Sequence, residues 1–292
     1  MKRAVVLAAM TLAVVALLIL VAAARSDSDI VIERDLVYGK GADLELKLDL
    51  ATPVKGDGPF PAVVFLHGEG WRAGNRQQMG HFIEGMARLG YVGVTVDYRL
   101  VPTARFPAQL EDCKAAVRWL RANAQRYRLR SDRIGVVGFS AGGYLASMLG
   151  VTGNEAEFEG GGGNPRQSSR VQAVVSFFGP TDFSTRDWPM ALEKEVIAPF
   201  LGGSFAGNSA LYRKASPVSH VNVDAPPFLF FHGTEDQVVP IDQSKRLALE
   251  LDKVGVPSQM VALDGEGHGF TDATNQRSMQ QMLDFLDKWL KS

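Results

Sequence analysis

The chain has 292 residues, 46% of them apolar and 22% charged, with 31 basic and 32 acidic side chains and a formal charge of −1 at pH 7. This is an ordinary globular composition with enough apolar material for one large core. The near balance of charge speaks against a polyanion-binding surface, and the single cysteine, Cys113, excludes an intrachain disulfide.

Met1-Lys2-Arg3 is followed by an uncharged run from Ala4 to Ala24, apolar but for Thr11, ending Ala22-Ala23-Ala24 before the polar Arg25-Ser26-Asp27-Ser28-Asp29. A basic start, an apolar middle and small residues before a polar stretch predict an export signal over residues 1–25, hence a secreted or periplasmic protein. The run is also long enough to span a bilayer, so an uncleaved N-terminal anchor is the competing reading, and the only membrane contact expected. No cysteine lies at the end of the run, which excludes the usual lipoprotein attachment. Residues 26–292 are expected to form one domain.

Leu44–Leu50 alternates apolar and polar residues, as a half-exposed strand does. Pro61–Leu66, Val92–Val96, Ile134–Val137, Val171–Phe178 and Phe228–Phe231 are short continuous apolar runs, the signature of strands buried on both faces, and Ser258–Leu263 is a further strand. Helical spacing of apolar residues occupies Met79–Leu89, Gln109–Ala124, Gly142–Leu149, Asp242–Val254 and Met279–Leu290. Cys113 falls in one of these patterns and reads as a small buried hydrophobe. The arginines between Arg118 and Arg133 read as a solvated helix face and loop, so no nucleic-acid partner is expected. Alternating strands and helices predict an α/β fold with a mostly parallel central sheet flanked by helices. Gly160–Gly163 reads as a flexible loop, because strand-like sequence resumes at Val171. The segment Gly179–Val221 is expected to be a small cap insertion.

In such sheets the chemistry lies beyond the carboxyl ends of the strands. Gly138-Phe139-Ser140-Ala141-Gly142 fits G-x-S-x-G between a predicted strand and a predicted helix. That context makes Ser140 a nucleophile on a tight turn, with glycines where side chains would clash and a helix N-terminus beneath the hydroxyl. His67-Gly68-Glu69-Gly70-Trp71 follows the first buried strand. Its backbone allows close approach, so the N–H groups of Gly68 and Glu69, with that of Ala141, are expected to form an oxyanion hole. A serine needs a base and the base an orienting carboxylate. Among five histidines, His268 lies in Gly265-Glu266-Gly267-His268-Gly269-Phe270 just after the last strand and is the expected base, with His67 a loop-ordering residue. Asp236 follows the preceding strand and is the expected carboxylate, with Glu235 its nearest competitor. Trp71, Tyr144, Phe183 and Trp188 fall in loops at or near the catalytic edge and are expected to line an acyl or aryl pocket, with core packing as the alternative. No pair of candidate ligands shows recognised zinc spacing, so neither metal nor cofactor is expected.

Five segments then occur in a telling order: the His67 to Trp71 stretch, Asp97-Tyr98-Arg99-Leu100 with Phe106-Pro107-Ala108, Gly138 to Gly143, His232-Gly233 with Asp236 and Val239-Pro240, and Gly267 to Phe270. Together they resemble the hormone-sensitive-lipase-like carboxylesterases, and still more the bacterial bifunctional feruloyl and acetyl-xylan esterases. The resemblance runs from about Val37 to the C-terminus and implies the α/β-hydrolase fold and a Ser140–His268–Asp236 triad. Where that family carries consecutive glycines after the histidine, this chain has Glu69. A carboxylate there opposes oxyanion charge unless it points away or pairs, for example with Arg72. The expected activity is hydrolysis of short-chain or sugar-linked carboxylic esters, on a small molecule or a polysaccharide. A serine peptidase of the same fold is the alternative, weakened by the short stretch, about 35 residues, between Ser26 and the strand at Pro61. A non-catalytic binding protein on this scaffold is the third reading.

Overall fold

The computed structural model describes residues 29–185 and 188–292. The proposed export or anchor segment lies outside the described residues. Eight strands form one sheet: β1 (Ile30–Gly41), β2 (Leu44–Pro53), β3 (Phe60–Leu66), β4 (Val92–Val96), β5 (Leu129–Phe139), β6 (Ala173–Phe177), β7 (Phe228–Gly233) and β8 (Ser258–Leu263). Their order is β1-β2-β4-β3-β5-β6-β7-β8, antiparallel at β1/β2 and β2/β4 and parallel from β4 to β8. This is the α/β-hydrolase arrangement expected.

Alternate residues of the central strands feed two separate cores. Val64, Val94, Val136, Val174 and Phe230 face one, which α2 (Ala108–Ala122), α3 (Ala141–Val151) and α5 (Asp242–Lys253) cover. Val63, Phe65, Val137, Val175 and Phe231 face the other, covered by α1 (Gly80–Arg88) and α6 (Asp272–Leu286). Each such buried side chain contributes about 1.5–3 kcal/mol, which is why the inner strands read as unbroken apolar runs. The inserted segment after β6 holds short helical turns from Met190 to Leu201 and α4 (Phe205–Lys214). Among the described residues no helix is long and apolar enough to cross a membrane.

An ion cluster around the buried Arg76 pins the loop between β3 and α1. Arg76 donates from Nε to Asp49 at 2.7 Å and also pairs with Asp35 and Asp97, while its backbone N–H reaches Asp97 at 2.8 Å. The loop that starts with His67 is thereby tied to β1, to β2 and to the end of β4.

Candidate active site

Ser140 stands at the turn from β5 into α3 with φ 53°, ψ −116°, a left-handed conformation rare for a side-chain-bearing residue. Two glycines make the turn possible. A Cβ on Gly138 would overlap the carbonyl of Gly142, and one on Gly142 would overlap the carbonyl of Leu66 and lie 2.5 Å from that of His67. The second clash is with the end of β3 rather than within the turn itself. From Ile134 to Thr152 every residue is buried except Ser140.

Three of the sequence-derived residues converge here. Ser140 Oγ donates to His268 Nε2 at 2.9 Å, and His268 Nδ1 donates to Asp236 Oδ2 at 2.7 Å. The Asp236 carboxylate is fully buried, while His268 keeps 14% of its side chain exposed. Burial alone would raise the carboxyl pKa. Hydrogen bonding from His232 and His268, the charge on His268 and the Val239 N–H outweigh it and hold Asp236 well below the usual carboxylate range. Its Oδ1 accepts the backbone N–H groups of Val238 and Val239 at 2.8 and 2.9 Å. The competitor Glu235 is exposed, and the carboxylate bonded to His268 is that of Asp236.

Gly68 lies against the turn: a Cβ there would sit 3.4 Å from Ser140 Cβ. The next three residues, Glu69, Gly70 and Trp71, are all left-handed, at φ 68°, 62° and 59°, closed by the Arg72 N–H on the Glu69 carbonyl at 3.2 Å. Glu69 and Trp71 hold this conformation at a cost of about 1–2 kcal/mol each. Glu69 does not pair with Arg72. Its Oε1 accepts from Gln78 Nε2 at 2.8 Å, and Arg72 donates instead to the Glu195 carbonyl at 2.8 Å.

The Asp97-Tyr98-Arg99-Leu100 motif buttresses this loop. Asp97 binds Arg76, Tyr98 donates to the His67 carbonyl at 2.8 Å, Arg99 grips Asp112 through two nitrogens, and the Val101 N–H donates to the Trp71 carbonyl at 2.8 Å. The His67 ring stacks on Tyr98 with centroids 4.2 Å apart. Burial pulls its pKa down to about 4, so it is neutral at physiological pH.

The expected aromatic pocket needs correction. Trp71, Tyr144, Phe183 and Trp188 are at most 9% exposed and belong to the core. Trp71 stacks on Phe200 at 4.0 Å and meets Tyr144 edge-on at 5.2 Å, while Phe183 packs on Tyr144 at 5.2 Å and on Trp188 at 5.8 Å. Large rings brought together bury more area against one another than in an open cleft. The rings that do flank the site are ones the sequence reading passed over. Half-buried Phe178, left-handed at φ 44°, lies 4.6 Å from the His268 ring and 5.3 Å from Phe270. No cluster of three or more ligating side chains suited to a metal occurs among the described residues.

Among known proteins, the chain is 33% identical over 221 residues to "Esterase LipC" of Mycobacterium tuberculosis, an alignment covering 73% of this chain and 53% of that protein. The chain thus spans about half the length of the curated relatives it matches. A solved structure described as a truncated form of carbohydrate esterase from gut microbiota superposes with a TM-score of 0.79 at 26% identity, covering 91% of this chain and 99% of that one. Thermogutta terrifontis esterase 2, solved phosphonylated by sarin, gives 0.77 at 25% identity, covering 88% and 94%. The BD-FAE family model matches residues 48–251, well over half of the chain, so by its sequence as by its fold this chain belongs to the BD-FAE family.

Proposed function

We propose that the chain is a serine carboxylic ester hydrolase acting on short-chain or sugar-linked esters through an acyl-enzyme on Ser140. The observation that carries this reading is the unbroken hydrogen-bonded line from Ser140 through His268 to Asp236, at the one accessible residue between Ile134 and Thr152. Ser140 Oγ attacks the ester carbonyl as His268 Nε2 takes its proton. His268 then protonates the departing alcohol, and the same nitrogen activates the water that releases the acid. Asp236, held ionised, fixes the imidazole with Nε2 free to act and balances the imidazolium charge. The N–H groups of Gly68, Glu69 and Ala141 receive the oxyanion. Glu69 tolerates this role because its carboxylate is engaged outward by Gln78.

The family and the gut carbohydrate esterase support a sugar-linked substrate, and the sarin adduct of the Thermogutta esterase supports a nucleophile open to phosphonates. The apolar run Ala4–Ala24 supports export of the domain, or its anchorage at a membrane. The test compares the full-length chain with Ser140→Ala on p-nitrophenyl acetate, butyrate and decanoate, alongside mass analysis after phosphonate treatment. Turnover of the short esters, one phosphonyl group on Ser140, and a loss in the variant on the order of 10⁴- to 10⁶-fold in kcat are expected. A folded wild type inert to esters and phosphonate alike would overturn the reading.

A further inference from the structure

Asp236 is approached by a second histidine. His232 closes β7 and its ring is fully buried. Its Nε2 lies 2.8 Å from the Val239 carbonyl and 3.3 Å from Asp236 Oδ2, the same oxygen that receives His268. Its Nδ1 lies 2.7 Å from Ser244 Oγ, and Ser244 is a buried residue in the first turn of α5. A carbonyl only accepts, so Nε2 carries the hydrogen; a neutral ring then takes the Ser244 hydroxyl hydrogen at Nδ1. The five side chains form a line, Ser244–His232–Asp236–His268–Ser140, with one carboxylate at its centre and an imidazole and a hydroxyl on either side. Only the Ser140 arm reaches solvent.

We propose that His232, set by Ser244, is a positioning residue for Asp236, an inference that rests on the hydrolase reading above. It acts in two ways. Its hydrogen bond, 2.8 Å long, holds the Val239 carbonyl, and the Val238 and Val239 N–H groups in turn grip Asp236 Oδ1, so the carboxylate is fixed with Oδ2 turned toward His268. Its Nε2 also lies 3.3 Å from Oδ2, and the N–H there draws off part of the charge that His268 would otherwise face.

Two substitutions separate this role from packing. His232→Phe fills the slot without a donor, whereas His232→Gln carries an amide nitrogen about where Nε2 stood. Ser244→Ala leaves the ring and removes only its orienting hydroxyl. With phosphonate titration counting active sites in the full-length chain, His232→Phe is expected to lower kcat per site on the order of 10- to 100-fold with KM within about twofold. Its acid limb of kcat/KM should move up by about half to one pH unit, because more of the Asp236 charge then favours the His268 imidazolium. His232→Gln should recover most of the rate, and Ser244→Ala should lose about threefold. The low-field proton resonance of the His268–Asp236 hydrogen bond reads the same geometry with no substrate present, and should weaken or shift in His232→Phe and return in His232→Gln. Equal kcat per site and an unchanged proton resonance across the His232 variants would overturn the inference, whatever happens to melting temperature. An unreactive wild type with a His232-sensitive resonance would instead leave the positioning intact and remove the hydrolase reading.

Discussion

Gly142→Ala sets two physical effects against each other. Gly142 is the second residue of α3, where helix propensity alone makes alanine about 1 kcal/mol better than glycine. Packing says the reverse. The added methyl would overlap the Leu66 carbonyl and stand 2.5 Å from that of His67, roughly 1 Å inside ordinary contact. Both neighbours are backbone: Leu66 ends β3 and pairs with Gly138 of β5, and the carbonyl of His67, the first loop residue, is held by the Tyr98 hydroxyl, so neither can rotate away freely. The turn must back off from β3, which strains a packed core by about 3 kcal/mol and reverses the propensity gain. The net cost is about 2 kcal/mol, and at about 2–4 °C per kcal/mol a melting temperature about 4–8 °C lower is expected. A shift of that order also draws Ser140 away from Gly68 and from His268 Nε2, so kcat/KM should fall on the order of 100-fold or more. Thermal melts followed by circular dichroism, with p-nitrophenyl acetate kinetics on the same preparations, read both quantities. A variant as stable as wild type, or more stable, with unchanged kcat/KM would refute the claim that the glycine exists for the close approach to β3.

Two further outcomes follow from the ionic state of the site. Asp236 is held below its unfolded value near 3.9, so its stabilisation is present above that pH and is lost as pH falls through the folded value. Melting curves should therefore drop more steeply below about pH 4 for wild type than for Asp236→Asn, while Asp236→Asn costs on the order of 10⁴-fold in kcat at neutral pH because the imidazole loses its orienting anion. Parallel acid limbs of stability would contradict the assignment. Phe178→Leu removes the ring beside His268; an aromatic face favours the imidazolium by about 0.5–2 kcal/mol, so kcat/KM should fall about 2- to 30-fold and its acid limb should move to lower pH. An unchanged rate would reduce Phe178 to a packing residue.

Much of this was legible in the residues because burial and steric need leave marks on sequence. β4 and β8 have the predicted bounds, β3, β6 and β7 differ by one or two residues at an end, and β5 begins five residues before the expected Ile134 and ends two after the expected Val137. β1 escaped notice because bulges between Glu33 and Leu36 and between Val37 and Gly39 break its alternation. The first two turns of α6, Asp272 to Ser278, are almost wholly polar, so the periodic signal begins only at Met279. In α4, Tyr212 is the one buried residue and no stripe exists to read. Ser140, Asp236 and His268 were marked by glycines, strand ends and chain order. The direction an aromatic ring faces has no such mark, which is why Trp71, Tyr144, Phe183 and Trp188 were placed at the edge and lie in the core. His232 is one more histidine at a strand end until the turn after it folds back and sets Asp236 beside its ring.

The insertion after β6 is not a detachable cover. Arg72 bonds to the Glu195 carbonyl, Trp71 stacks on Phe200, and a side chain at Gly70 would meet Val196 at 3.1 Å. The residues between Glu195 and Phe200 therefore brace the left-handed turn at Glu69–Trp71. Substitutions there that reshape the proposed substrate site are therefore expected to disturb this turn as well, and a cap grafted from a distant relative is expected to lower the rate. Diversification should proceed most freely at positions such as Met190, 83% exposed, that touch neither Trp71 nor Gly70.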